Sequence, residues 1–411
     1  MKTITAVWKK ISHPEFNGIP PLLTSRHLSS LDGLRALSII LVILSHCFYG
    51  TRYGKYANGH SGVCIFFVIS GFLITTLLIK ERITTGEISL KRFYIRRCLR
   101  IFPVAYLFLF TLIILNRIFQ LNISSFNFIT TALYLKNLTF LYPVDNWQVG
   151  HFWSLAIEEQ FYLLFPFIMV YNFKLYIRLV IVFILGAPVL NMLFYHGGGV
   201  LAQGSPHFVL RLLMDIWGRG TSFILCGSLC SILLFKGMIP VAFLEKFKGA
   251  ALYLLLLLLL MDTRGILDFP GKEVINLYFF APGLCIVVLL GLYKGNSFSF
   301  TFLNNPLVRT IGVLSYSLYV WQQLFTSQQP WANAFRYGAA AWFNLPILGL
   351  VAYLSYHLFE KKFLRLKDRF AVKAGPAQVA SAQAQVASAQ AVENQGAPPQ
   401  ASSPGHHSMA L

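Results

Sequence analysis

Charged residues are scarce in this sequence: Asp, Glu, Lys and Arg make up only 12% of its 411 residues, and only 15 of them are acidic. A soluble globular domain carries about 25%. With an apolar content of 56%, the shortfall excludes that class and implies an all-α polytopic membrane protein. Cysteine is sparse as well. The six cysteines (Cys47, Cys64, Cys98, Cys226, Cys230, Cys285) lie mostly in apolar runs, without a CxxC pair or a His/Cys ligand spacing. Neither a disulfide framework nor a metal site is indicated, and no redox compartment follows. No apolar run ending in a small-residue cleavage site precedes Leu34, so no signal peptide is expected.

The apolar residues that are present form long runs. Segments of roughly 20 residues, enough to cross the hydrocarbon core, begin near Leu34, Gly62, Ile101, Phe152, Tyr176, Leu212, Ala250, Val274, Ile311 and Trp342. About ten transmembrane helices are therefore expected, with both termini on one side. Sorting the 34 Lys and Arg by loop assigns 25 to the side of the termini and nine to the other. By the positive-inside rule this predicts cytoplasmic termini and accounts for the net charge of +19 without nucleic acid. The stretches "KRFYIRRCLR" and "EKKFLRLKDR" dominate the basic side. From about Gly375 the chain is rich in Ala, Gln, Ser and Pro, and "AQVASAQ" occurs twice. Such a composition buries too little apolar surface to fold. The expected organisation is a cytoplasmic segment over 1–33, a membrane domain over 34–365 and a disordered tail over 366–411.

Polar residues inside the spans carry the functional signal. Arg35 and His46 are 11 residues apart, three helical turns plus about 20°, so they share one face of the first span about 16 Å apart. Arg35 at the boundary fits either a ligand contact or a snorkelling side chain. His46 lies about one and a half turns inside the opposite boundary, where a titratable group needs a cavity or a partner. The fourth span, "GHFWSLAIEEQFYLLFPF", enters from the outer side, which brings Glu158 and Glu159 to the depth of His46. Adjacent residues diverge by about 100° on a helix, so only one of the two is expected to reach it. His151 and Trp153 sit higher, as interfacial anchors.

The loop before the third span holds Arg92, Arg96, Arg97 and Arg100. Each alone fits the positive-inside rule, while together they suit a phosphorylated ligand, which Arg binds bidentately. Ser70 and Gly71, in "GVCIFFVISGFLIT", fit close helix packing. Arg211, Asp215 and Arg219 recur every four residues and suggest an ion-pair ladder. In "LSYSLYVWQQ", residues Ser315, Tyr316, Ser317, Tyr319, Trp321 and Gln322 suit hydrogen bonding between helices.

Five of these pieces, "LDGLRALSIILVILSH", "GVCIFFVISGFLIT", "FYIRRCLRIFP", "HFWSLAIEEQFYL" and "LSYSLYVWQ", stand in the order found in the acyltransferase 3 family, which the chain resembles from about Leu31 to Arg365. This family comprises multispan O-acetylases and related O-acyltransferases of O-antigen, exopolysaccharide and other acceptors in bacterial inner membranes. The resemblance implies that Arg35, His46 and Glu158 are catalytic and that Arg96, Arg97 and Arg100 bind the donor. It departs at one position: many members have a histidine after the tryptophan of the ninth span, where this chain has Gln322. Some members append a soluble esterase-like domain, which is not seen here.

The function so implied is transfer of an acyl group, acetyl first among them, from acyl-CoA to a hydroxyl of a glycan or lipid-linked saccharide. No cofactor is held; acetyl-CoA is a substrate. His46 would be the general base or acyl carrier and Glu158 would orient it. A transporter or flippase of an anionic or lipid-linked substrate is the competing expectation.

Overall fold

The computed structural model describes residues 2–16, 18–25, 27–51, 53, 58–141, 146–196, 204–218, 220–263 and 272–370. Every regular element among them is helical. In chain order these are α1 (Lys2–Ser12), α2 (Ser29–Cys47), α3 (Gly59–Thr85), α4 (Leu90–Phe119), α5 (Ser125–Ala132), α6 (Trp147–Gly150), α7 (Phe152–Tyr171), α8 (Phe173–His196) and α9 (Gly204–Leu213). There follow α10 (Thr221–Phe235), α11 (Val241–Lys246), α12 (Ala251–Thr263), α13 (Lys272–Leu292), α14 (Phe298–Leu303), α15 (Pro306–Trp321), α16 (Gln323–Thr326), α17 (Ala341–Leu354) and α18 (Lys361–Asp368). Single π-helical stretches join α9 towards α10 (Met214–Gly218) and α17 to α18 (Ser355–Glu360).

Among the described residues, seven helices are long and apolar enough to cross a membrane. All ten expected starts fall on or next to helices. The three that do not reach that length begin near Ala250, Val274 and Ile311. There α12 has 13 described residues, the described apolar stretch of α13 runs over Tyr278–Leu292, and the 16-residue α15 passes through Gln322 into α16. The tail from Gly375 and Arg219 lie outside the described residues.

The helix ends follow from local chemistry. At the start of α3 the Asn58 side chain accepts the backbone N–H groups of His60 and Ser61, and the helix stops at Gly86, whose φ of 82° only glycine adopts without strain. At the start of α4 Ser89 accepts the N–H of Arg92. The helix it opens starts at Leu90, eleven residues before the apolar run at Ile101, so the arginines expected in a loop are helical. Their side chains therefore fan out over different faces.

The most enclosed of these seven spans is α3, which packs on α2 and on α10. No aqueous hydrophobic effect drives helices together in a membrane, so close backbone approach and interhelical hydrogen bonds do. A Cβ on Gly71 would sit 1.8 Å from the carbonyl oxygen of Ile224, and one on Gly227 would sit 2.1 Å from that of Val68. Beside this crossing, Thr75 donates to Ser228 at 2.7 Å and Thr76 shares a 2.8 Å bond with Ser231. The packing role expected of Gly71 is what the structure has. Gly71→Ala should overpack the crossing and cost about 1–3 kcal/mol, read as a lowered thermal midpoint in detergent. An unchanged midpoint would mean that the helices separate at no cost. A second glycine crossing, Gly312 against the carbonyl of Asp32, sets α15 against α2.

Of the ladder expected of Arg211, Asp215 and Arg219, the third member lies outside the described residues, and the first two meet at Thr139. Asp215 stands in the π-helical stretch, and both side chains bond Thr139.

Candidate active site

The packing of α2 between α3 and α15 leaves three adjoining cavities along α2. At its C-terminal end a cavity of about 470 Å³ is lined by His46, His60, Trp147, His151, Trp153 and Gln323 among others. At its N-terminal end a cavity of about 350 Å³ is lined by Asp32, Arg35, Lys80, Arg100, Glu360 and Lys367 among others. A small cavity of about 50 Å³ lies between them and shares Val63 and Tyr319 with the first and Arg35 with the second. On the expected shared face of Arg35 and His46, His46 thus lines the first cavity and Arg35 the other two. His27, before the first span, and Lys367, after the last, line the same end cavity.

His46 is held by a partner that depth matching did not suggest. Its Nδ1 lies 2.8 Å from Oε1 of Gln322, at the junction of α15 and α16. An amide oxygen only accepts, so Nδ1 carries a proton, and in the neutral ring the lone pair is then on Nε2. The amide is itself oriented: Nε2 of Gln322 donates to Gln323 at 2.9 Å, and the Thr326 hydroxyl donates to Oε1 at 3.3 Å. The ring also stands edge-on to Trp147, 5.3 Å between centroids, and Trp147 is fixed by donating to the carbonyl of Gln323 at 3.0 Å.

Glu158 is not the hydrogen-bond partner of His46. Its carboxylate accepts from the hydroxyls of Ser70 and Tyr162 and lines the small central cavity with Arg35. Equal depth fixes height along the membrane normal but not direction around a helix axis, and this face of α7 turns towards α3. Ser70, expected to serve packing, is thereby part of the central polar group. Glu159 lies near Arg97 instead. His151 is not an interfacial anchor either: it is 3% exposed, and its Nε2 donates to the carbonyl of Val320 at 3.0 Å. The corner between α6 and α7 tucks it beneath α15, so it lines the cavity of His46.

The arginine cluster divides three ways. Arg96 donates to Glu81 at 3.0 Å and to the carbonyl of Phe370 at 3.0 Å. Arg97 lies over the Tyr162 ring, 4.8 Å from its centroid. Of the three, only Arg100 lines the end cavity with Arg35. The hydroxyls of α15 are largely bonds between helices, as expected: Ser317 donates to Glu360 at 2.7 Å, Tyr316 to the carbonyl of Ile101 at 2.6 Å, and Tyr319 pairs with Ser154.

Reading the residues in sequence missed Lys80, Lys367, His60, Trp147 and the contact made by Gln322. Lys80 had a usable signal, since a lysine within a long apolar run marks a cavity or a partner. The others lie beside span ends, where such residues are common.

A volume of about 50 Å³ holds a water or two. The central cavity therefore separates two larger chambers, one with a histidine lone pair and one with several cations, joined through Tyr319, Glu158 and Arg35.

Comparison with known proteins shows the family. The sequence model of the acyltransferase 3 family, described as an acyltransferase domain, matches residues 28–359. A predicted O-acetyltransferase of Staphylococcus aureus (strain COL) is 29% identical over 322 residues, covering 72% of this chain and 50% of that protein. The O-acetyltransferase OatA of Staphylococcus aureus (strain NCTC 8325 / PS 47) is 38% identical over 168 residues, covering 38% of this chain and 27% of that protein. The chain spans half the length of the first relative and about a quarter of the second. No solved structure matches. Because the family match extends over well more than half of the 411 residues, from before α2 to the end of the last membrane helix, the chain belongs to the acyltransferase 3 family.

Proposed function

We propose that the protein is an integral-membrane O-acyltransferase of the bacterial inner membrane. It moves an acetyl group from acetyl-CoA to a hydroxyl of a glycan or lipid-linked saccharide. The observation that carries this reading is the contact of His46 with Gln322: with the amide oxygen accepting from Nδ1, the base of the neutral ring is Nε2, in a side chain lining the chamber at the C-terminal end of α2. As the acceptor oxygen attacks the thioester carbonyl, Nε2 takes its proton. The C–S bond then breaks, and the proton passes from His46 to the departing thiolate. The same lone pair can instead attack the thioester and carry the acyl group itself. Trp147, Trp153, Gln323 and Gln328 line the chamber, and ring faces with amides suit the C–H faces and hydroxyls of a sugar.

The donor fits the opposite chamber, where Arg35 and Arg100 offer charge to phosphate. Its pantetheine arm has to span about 16 Å of α2. The central cavity is too small for that arm, so it must widen, and the Tyr319–Ser154 and Glu158–Ser70 hydrogen bonds are the contacts that would part. Glu158 and Arg35 then act at the passage, Glu158 as a partner for buried cations and not as the orienting group.

The test is sidedness. In sealed vesicles of known orientation, labelled acetyl-CoA supplied on the face carrying the termini should yield labelled acceptor on the opposite face, with release of CoA. Label appearing only when both substrates share one face would overturn transfer across the bilayer. Transport of acceptor without consumption of acetyl-CoA would favour a flippase.

A further inference from the structure

The N-terminal helix α1 encloses a cavity of about 440 Å³ that shares no lining residue with the three along α2. It is lined by Lys9, Lys10, His13 and Glu15 of the N-terminal segment and by Phe235 and Lys236 at the end of α10. The sequence of α1 divides by helical period. Trp8 and Ile11 share one face and pack against the buried core, where α1 rests on α8, while Ala6, Lys9, Lys10 and His13 share the opposite face and line the cavity. Across it, Lys236 lies 4.5 Å above the Phe16 ring and donates to the carbonyls of His13, at 2.5 Å, and Glu15. Carbonyl acceptors leave the ammonium charge uncancelled and one of its three donors free. Burial holds Lys236 below the usual lysine range, as do Arg82 and Lys10, against the opposing pull of Glu15. That carboxylate is 82% exposed and lies 3.7 Å from His13. Among the described residues none lies within ion-pair distance of Lys9, Lys10 or Lys236. Three ammonium groups therefore meet one carboxylate. Keeping lysines on one side of a membrane requires no such convergence of two helices on one cavity.

We infer that this cavity binds the headgroup of an anionic phospholipid, with Lys9 and Lys10 of α1 and Lys236 after α10 as its contacts. Place in the fold selects a lipid over a soluble anion. Phe235 is the last residue of the apolar span Phe208–Phe235, so the cavity opens where that span leaves the hydrocarbon. A short helix with a basic face and an apolar face is the pattern that lies in the headgroup layer, and each lysine there gains from an anionic leaflet. Val7, 42% exposed on α1, adds an apolar contact for the glycerol and upper acyl chain. Ammonium groups on flexible stems suit a phosphate that arrives on a mobile lipid, since they need no fixed fork geometry. A headgroup held between Lys9, Lys10 and Lys236 would bridge α1 to the end of α10, the helix that packs on α3.

The test titrates dioctanoyl phosphatidylglycerol into the full chain in a neutral detergent and counts bound lipid by native mass spectrometry. The parent should retain this lipid in preference to dioctanoyl phosphatidylcholine. Lys9→Gln and Lys10→Gln should each weaken it about fivefold, the worth of one lysine beside an anionic headgroup, and the pair about 25-fold. Both side chains are exposed, so neither change should disturb folding. Replacing both by arginine should retain binding, which separates charge from packing, and Lys246→Gln, on α11 outside the cavity, should match the parent. The chambers along α2 are unchanged in these variants, so lipid bound there would appear equally in all of them. Equal retention of the two lipids by the parent, or parental affinity in the Lys9→Gln/Lys10→Gln variant, would overturn the site. Displacement of the lipid by excess inorganic phosphate would assign the cavity to a soluble anion and overturn the headgroup as its occupant.

Discussion

Replacing His46 with alanine is expected to remove transfer almost entirely while the protein still inserts and folds. A positioned base contributes about 10²–10⁴ in rate, so kcat should fall by roughly three orders of magnitude, about 4 kcal/mol of barrier. Packing should suffer little. His46 is only partly buried, and its loss deletes one bond to Gln322 and one edge contact with Trp147. The check is acetyl transfer by purified protein alongside its thermal midpoint in detergent. A variant that retains a tenth of parental activity would rule out His46 as base and as acyl carrier. His46→Gln keeps a hydrogen-bonding side chain but has no lone pair of comparable basicity, and should be as inactive as alanine.

Gln322→Leu is expected to lower kcat about a hundredfold with little change in the KM for either substrate. The amide oxygen is the acceptor, 2.8 Å away, that keeps the proton on Nδ1. Without it both tautomers become accessible, and the ring loses its orientation. Gln322→Glu separates this role from packing. A carboxylate beside the ring favours the imidazolium, whereas the reaction needs the neutral base. The acid limb of the kcat/KM profile should therefore move to higher pH, with substantial activity on the alkaline side. A residue that merely packs would give no such shift. An unmoved acid limb in Gln322→Glu, with Gln322→Leu near parental activity, would refute orientation through the amide. The departure from the family's histidine thus falls on a residue in contact with His46, in place of the proton-transferring group expected of many relatives.

How far the sequence could be read depended on whether a property is local along the chain. Hydropathy is local, so the helix starts near Leu34, Gly62, Ile101 and Phe152 could be read directly. The common face of Arg35 and His46 could also be read, because helical periodicity alone places them. The five short motifs identified the family for the same reason, since each is contiguous.

What a side chain touches is not local. His46 and Gln322 are 276 positions apart, and nothing in the run around either one specifies the other. Depth in the membrane ranked Glu158 as the partner. Rotation of α7 about its own axis, set by its packing, turned that carboxylate to Ser70 and Tyr162. The arginines of α4 looked like one cluster because they are neighbours in sequence, yet the helix starting at Leu90 spreads them over Glu81, Tyr162 and the end chamber. Helix type, the positions of the seven long spans and the family were thus determined by the order of residues alone. The partner of the base, the division of the arginines and the cation-lined chamber closed by Lys367 were decided only when the helices packed, because packing fixes rotation about each helix axis and hydropathy does not.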